Sequence, residues 1–152
     1  MKEPLVSRLL KFVLYAVFVI GVVGSATLPL MLDRYLFILY GAQTLEPGYR
    51  TFILLFLMGA SILCLWIILE MVWMMRSIAK GPFVMRNVHA LNRIGAIFLG
   101  LAAAFFVKCM LYITLMTLFC GFLFIGGGLF AFTLAALIHQ AVIFKEENDL
   151  TI

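Results

Sequence analysis

The stretch that decides the fold runs from Ile94 to Phe144 and reads IGAIFLGLAAAFFVKCMLYITLMTLFCGFLFIGGGLFAFTLAALIHQAVIF. It is apolar throughout except for Lys108 and the neighbouring pair His139 and Gln140. As a single helix its roughly 51 residues would be about 77 Å long, whereas the apolar core of a bilayer is about 30 Å thick. The stretch therefore predicts a hairpin of two membrane-spanning helices.

The turn of this hairpin is predicted between Thr117 and Gly128, because the glycines in that interval loosen a helix. Two further apolar runs lie upstream, and only Glu70 interrupts the second of them. The first run is longer than the apolar core of a cleaved signal peptide, so we expect a retained helix. The four predicted transmembrane helices cover residues 12–32, 52–75, 94–117 and 124–144.

The composition supports the same architecture. Of the 152 residues, 66% are apolar and 12% are charged, and the mean hydropathy is +1.19. A soluble domain has roughly 45–50% apolar and about 25% charged residues. These values exclude a soluble enzyme, a secreted disulfide-rich domain and a disordered tail. They predict an all-α integral membrane bundle that forms one membrane domain over residues 1–152.

The basic residues predict the orientation, because short cytoplasmic loops carry an excess of Lys and Arg. One side of the predicted topology, formed by residues 1–11, 76–93 and 145–152, carries Lys2, Arg8, Lys11, Arg76, Lys80, Arg86, Arg93 and Lys145. The other side carries Arg34 and Arg50 and is offset by Asp33 and Glu46. Eight basic residues against two predict that both termini and the central segment face the cytoplasm.

The central segment predicts a short cytoplasmic amphipathic helix between spans 2 and 3. Gly81 and Pro82 end one helix and can begin the next, since proline fits the first helical turn. One face of the predicted helix carries Val84, Val88, Leu91 and Gly95, and another carries Arg86, His89 and Arg93. Such a helix would lie in the membrane interface, with its basic residues near anionic headgroups.

Polar residues at membrane depth are costly and usually face other helices. Glu70 and His139 lie at similar predicted depths near the cytoplasmic side, which favours a hydrogen bond between Glu70 and either His139 or Gln140. Lys108 lies beyond the membrane midplane, too far from Glu70 for contact, and would line the bundle or reach the far interface. One inter-helix hydrogen bond and a snorkelling lysine are the structural interpretation of these residues, and a proton or ion relay is the functional one.

Small residues predict where the helices pack, because they allow close backbone approach. Ala96, Gly100 and Ala104 recur at every fourth position in the third span. The fourth span has the same spacing in Gly127, Ala131 and Ala135. The two stripes predict that the hairpin closes tightly on itself.

No pattern in the chain points to catalysis, a cofactor or a metal. Cys64, Cys109 and Cys120 all fall in apolar spans without C-x-x-C spacing, which argues against a thiol oxidoreductase. The net charge of +4 is the excess that the positive-inside rule requires, so direct nucleic-acid binding is not predicted. We expect no enzyme activity, no cofactor and no metal.

The C-terminus reads KEENDLTI from Lys145 and combines an acidic cluster with an apolar end. We expect the cluster either to fray in solvent or to dock on Arg86 and Arg93, with Leu150 and Ile152 packed beneath it. The sequence motifs of the two cytoplasmic segments define a predicted interaction face. Its residues are Pro82, Phe83, Arg86, Asn87, Arg93, Glu146, Glu147, Asn148, Asp149 and Leu150.

These two segments also resemble a known family. The residues that carry the resemblance are Gly81-Pro82-Phe83-Val84, Asn87, Ala90-Leu91, Arg93-Ile94-Gly95 and the ending Lys145–Ile152. Together with the four-span layout they are similar to the domain of unknown function 2975 family. The resemblance implies a bacterial inner-membrane protein whose biochemical role is uncharacterised. Genes of this family often lie beside a small Cro/CI-type helix-turn-helix regulator, which implies a shared circuit.

Three functions are compatible with the sequence. The first is a membrane-embedded regulatory or interaction protein whose cytoplasmic face binds a small helix-turn-helix transcription regulator. The second is a small transporter or channel that uses Glu70, His139 and Lys108. The third is an accessory subunit of a larger membrane complex. The oligomeric state is not predicted.

Overall fold

Four long α-helices contain almost every residue that the computed structural model describes, namely residues 5–40, 48–78, 81 and 83–149. The helices are α1 (Leu5–Tyr40), α2 (Tyr49–Ile78), α3 (Met85–Leu111) and α4 (Leu115–Asp149). All four are long and apolar enough to cross a membrane. The predicted all-α fold with four such helices is confirmed.

The helices pack in chain order, α1 against α2, α2 against α3, and α3 against α4. Each neighbour runs antiparallel to the one before it: Leu14 of α1 packs near Met75 of α2, while Leu36 packs near Tyr49 at the other end. The structure thus has two ends. We call residues 5–15, 70–78, 83–93 and 134–149 the terminal end, and residues 32–36, 49–57 and 105–120 the turn end.

The α3–α4 hairpin turns at residues 112–114, before the predicted range of 117–128, so the predicted position is wrong. The Tyr112 amide closes α3 by donating to the carbonyl of Lys108 at 2.8 Å. The Thr114 carbonyl accepts the amide of Thr117 at 2.9 Å and opens α4. The glycines that suggested a turn lie inside α4, where Gly128 brings the two helices together.

The predicted tight closure of the hairpin is confirmed, since α3 and α4 form the most extensive helix–helix contact. Ala131 and Ala135 of α4 are buried, and a Cβ at Gly128 would lie 3.2 Å from the carbonyl oxygen of Gly95. The small-residue stripe predicted for the third span is placed differently: Ala96, Gly100 and Ala104 are exposed. They lie on a different side of α3 from Gly95, which makes the close contact.

The segment predicted as a separate amphipathic helix forms the first turns of α3, which runs without a break from Met85. Its apolar side is buried, with Val88 and Leu91 packed against Ala135 of α4. Arg86 and His89 are exposed on its other side. The predicted division into an apolar and a basic face therefore holds, within one continuous helix.

Candidate functional site: two buried charges and a charged helix end

Glu70 is the most deeply buried acidic residue of the described part of the chain, and it lies on α2 at the terminal end. Its side chain is 3% exposed, and its Oε2 accepts a hydrogen bond from Nη2 of Arg93 at 3.1 Å. Arg93 reaches it from α3 and remains 59% exposed. The ion pair therefore joins α2 to α3 through one buried side chain and one exposed side chain.

The structure pairs Glu70 with Arg93 where the sequence suggested His139 or Gln140. Both of those side chains are exposed, and within the described ranges Glu70 has no hydrogen bond to either of them. The physical reason is the packing order, because among the described residues the backbone of α4 comes close to α3, while α2 approaches α1 and α3. Matching depth along the helices was therefore insufficient to identify the partner.

A second polar contact ties α1 to α2 at the terminal end. Arg76 donates from Nη2 to the hydroxyl of Tyr15 at 2.6 Å. The sequence predicts no role for Tyr15, because this residue lies within an apolar run. A tyrosine one helical turn from the predicted membrane edge, opposite an arginine at the same depth, is the signal that would have found it.

The predicted interaction face is partly exposed and partly buried. Phe83, Arg86, Glu146, Glu147 and Asn148 are exposed, whereas Asn87 is 1% exposed and packs inside. Pro82 and Leu150 lie outside the described residues, as does Ile152, and Asp149 is described only as the last residue of α4. The exposed members all lie at the terminal end.

The acidic cluster continues α4 as a helix. α4 extends from Leu115 to Asp149, five residues past Phe144, the last apolar residue before Lys145. Arg93, one of the two expected partners of this cluster, is bound to Glu70. The docking of the cluster on the basic residues of α3 stays a prediction. The carboxylates of Glu146 and Glu147 thus project on a helical extension at the terminal end.

Lys108 lies at the opposite end of the molecule and is 5% exposed. Its ammonium donates to the hydroxyl of Thr117 at 2.7 Å and to that of Thr114 at 3.2 Å. The lysine is thus buried within the bundle, and its ammonium is directed at the α3–α4 turn. The sequence does not predict Thr114 and Thr117 as partners of the lysine, because it places the turn too late in the chain. The available signal was a pair of hydroxyl residues six and nine positions after the lysine.

A cavity of about 310 Å³ adjoins Lys108 at the turn end, and all four helices contribute to its wall. Tyr35 lines it from α1, Phe56 from α2, Phe105 from α3 and Thr117 from α4. Phe56 and Phe105 pack edge to face with their ring centroids 4.9 Å apart. The cavity is therefore mainly apolar, and the ammonium of Lys108 with the hydroxyls of Thr114 and Thr117 forms a polar group in its wall.

The side chains that ligate metals are dispersed. Across residues 5–40, 48–78, 81 and 83–149 no three His, Cys, Asp or Glu side chains come together as a metal site would require. Cys64, Cys109 and Cys120 are free thiols, each partly buried. The candidate functional groups are therefore charged side chains. The terminal end has the Glu70–Arg93 ion pair and further exposed charges, and the turn end has the buried ammonium of Lys108.

Comparison with known proteins places the chain in a family. Neither a curated protein nor a solved structure matches it. The family described as "Protein of unknown function (DUF2975)" matches residues 40–152. The match includes α2, α3, α4, Glu70, Arg93, Lys108 and the acidic end of α4, while α1 precedes it almost entirely. With about three quarters of its length matched, the chain belongs to the DUF2975 family of proteins of unknown function.

Proposed function

We propose that this chain is a multi-pass protein of the bacterial cytoplasmic (inner) membrane whose terminal end binds a small helix-turn-helix transcription regulator. In this proposal both termini and residues 76–93 lie in the cytoplasm and the lipid bilayer surrounds the four helices. Regulator held at the membrane is removed from the pool that can occupy a promoter. The chain would thereby change transcription by mass action, without contacting DNA itself.

Exposed apolar side chains support a membrane location. Large apolar residues are exposed along all four helices; Ile38 is 80% exposed, Leu55 68%, Met110 89% and Leu115 83%. A soluble monomer rarely exposes apolar patches of more than a few hundred Å². Lipid tails would cover these side chains at no cost in free energy.

The helical extension of α4 is the observation that carries the partner proposal. Glu146 and Glu147 project beyond the last apolar residue of α4, and Arg86 and His89 are exposed on the first turns of α3. Both segments stand at the terminal end because α3 and α4 pack antiparallel. A surface with charges of both signs on rigid helices suits a soluble partner of complementary charge, since such patterns set specificity and association rate.

A transporter or channel that uses Glu70, His139 and Lys108 finds less support. Glu70 lies at the terminal end in an ion pair with Arg93, and Lys108 lies at the turn end on two threonine hydroxyls. His139 is exposed on α4. The three groups thus form no continuous polar path within the described residues. If the chain is instead an accessory subunit of a larger membrane complex, its terminal end can still be tested for a partner in the same way.

The orientation can be checked by cysteine labelling in intact cells. In a variant whose three native cysteines are serine, Ser77→Cys should react with a membrane-impermeant maleimide only after the cells are opened. Arg34→Cys, at the turn end, should react from outside. The reason is the excess of Lys and Arg at the terminal end. Labelling of Ser77→Cys in intact cells would contradict the proposed orientation.

Charge reversal tests the partner. The full chain is co-expressed with a small Cro/CI-type helix-turn-helix protein, the kind of regulator whose gene often lies beside genes of this family. The amount of regulator that co-purifies with the membrane protein is measured. Glu146→Lys together with Glu147→Lys should reduce co-purification about tenfold, because complementary charges become like charges. Transcription from the regulator's promoter, read with a reporter, should change in the same strain.

Arg34→Glu is the matched control, because it reverses one exposed charge at the turn end and should leave co-purification unchanged. The labelling assay with Ser77→Cys verifies that each variant keeps its orientation. The proposal fails if the regulator does not co-purify with the wild-type chain. It also fails if the Glu146/Glu147 reversal has no larger effect than the control.

A further inference from the structure

The cavity at the turn end has the chemistry of a binding site that the proposed function does not use. It combines a volume of about 310 Å³ and aromatic walls with the buried ammonium of Lys108. Ligand pockets are mostly apolar, with a few convergent polar groups, and begin at about 300 Å³. A ligand of this cavity would have to supply a hydrogen-bond acceptor for the ammonium of Lys108.

Among the described residues, Lys108 has neutral hydrogen-bond partners only. Its ammonium has three N–H donors, and the hydroxyls of Thr114 and Thr117 accept two of them. A buried charge is stabilised when it is paired with an opposite charge, and dipoles of neutral hydroxyls compensate it only in part. One donor remains for an anionic acceptor.

The carboxylates of the described residues are engaged or distant. Asp33, at the same end, binds Arg50 through both oxygens, at 2.6 Å to Nε and 3.0 Å to Nη2. Glu70 is bound to Arg93 at the terminal end, and Glu146 and Glu147 also lie there. The side chains described at the turn end therefore leave the charge of Lys108 without a counter-anion.

We propose that this cavity binds an anionic amphiphile, with the oxyanion head on Lys108 and Thr117 and the apolar chain against Phe56 and Phe105. The apolar wall selects against a small hydrated anion, and the buried ammonium selects against a neutral lipid. A carboxylate of a fatty acid and a phosphate of an anionic lipid share the required chemistry. The site lies at the other end of the molecule from the proposed partner surface and is independent of it.

The test measures binding of cis-parinaric acid, a fluorescent fatty acid, to the purified full chain in a neutral detergent, with its uncharged methyl ester as the matched ligand. The wild-type chain should bind the acid at least about tenfold more tightly than the ester, a difference of about 1.4 kcal/mol. Lys108→Met should abolish the preference for the acid. Thr133→Val, an exposed threonine of α4 outside the cavity wall, should leave it unchanged.

Competition identifies the source of the oxyanion. Displacement of the probe by oleate assigns a fatty acid, and displacement by phosphatidylglycerol alone assigns a lipid phosphate; each supports the site. Displacement by inorganic phosphate at equal concentration would overturn the requirement for an apolar chain. Lys108→Arg, which keeps the charge, should retain the preference and separates loss of the ammonium from loss of folding.

Two results would overturn the proposal outright. The first is equal affinity of the wild-type chain for acid and ester, and the second is a preference that survives in Lys108→Met. Glu46 lies outside the described residues, so Glu46→Gln is included. If the wild-type chain shows no preference and Glu46→Gln gains one, the carboxylate of Glu46 is the counter-anion of Lys108 and the proposal is wrong.

Discussion

Replacing Arg93 with methionine should lower the free energy of unfolding by about 3 kcal/mol, whereas replacing Glu70 with glutamine should lower it by about 1 kcal/mol. The asymmetry follows from the burial of the two side chains, 3% exposed for Glu70 and 59% for Arg93. Without Arg93 a carboxylate is left in a nearly dry interface between α2 and α3. Without the charge of Glu70 the guanidinium still reaches water, and the glutamine oxygen still accepts a hydrogen bond.

Unfolding of the purified chain by SDS in mixed micelles measures both effects, with the double variant Glu70→Gln/Arg93→Met completing the cycle. The double variant should recover most of the loss seen in Arg93→Met, because the unpaired charge is gone. Arg86→Met is the control, since Arg86 is exposed and lies two turns earlier on α3. If Arg93→Met lowers the free energy of unfolding no more than Glu70→Gln does, the prediction is wrong. The difference in burial between the two side chains would then not determine the cost of removing either one.

The four helices could be predicted from the sequence because apolar length alone determines them. A run such as Ile94–Phe144 is too long for one crossing and too apolar for a soluble helix. The continuous apolar character of this run also makes the turn difficult to locate. Every residue from Leu111 to Leu115 except Thr114 is apolar or aromatic, so no polar segment marks the turn. The glycines of α4 suggest a turn in the sequence, although a glycine in a membrane helix also allows close packing of two helices.

The contacts of the charged side chains could be predicted only in part. Depth along each helix follows from counting residues, and it placed Glu70 near the terminal end. The rotation of each helix and the identity of its neighbour do not follow from counting. The sequence therefore predicts Arg93 on the basic face of the interfacial helix and His139 beside Glu70, whereas Arg93 pairs with Glu70 and His139 is exposed. Lys108 was correctly found to be separate from Glu70, but its threonine partners depended on the position of the turn.

Replacing Gly128, at the close contact between α3 and α4, is the second substitution that we expect to lower stability strongly. A Cβ at this position would lie 3.1 Å from Cγ of Leu99 and 3.2 Å from the carbonyl oxygen of Gly95. The leucine can change rotamer, but the backbone oxygen can move only if the helices separate. Gly128→Leu should therefore lower the free energy of unfolding by about 2–3 kcal/mol, the usual cost of overpacking a close contact.

Gly126→Leu is a closely matched control, because it introduces the same side chain two residues earlier, where a Cβ would meet nothing within 4 Å. Leucine favours helix over glycine by up to about 1 kcal/mol, so this variant should be neutral or slightly stabilising. Unfolding in SDS compares the two variants directly, and both share the gain in helix propensity. Only the distance to α3 differs, so equal stability of Gly128→Leu and Gly126→Leu would show that the close approach of α3 and α4 does not hold the hairpin together.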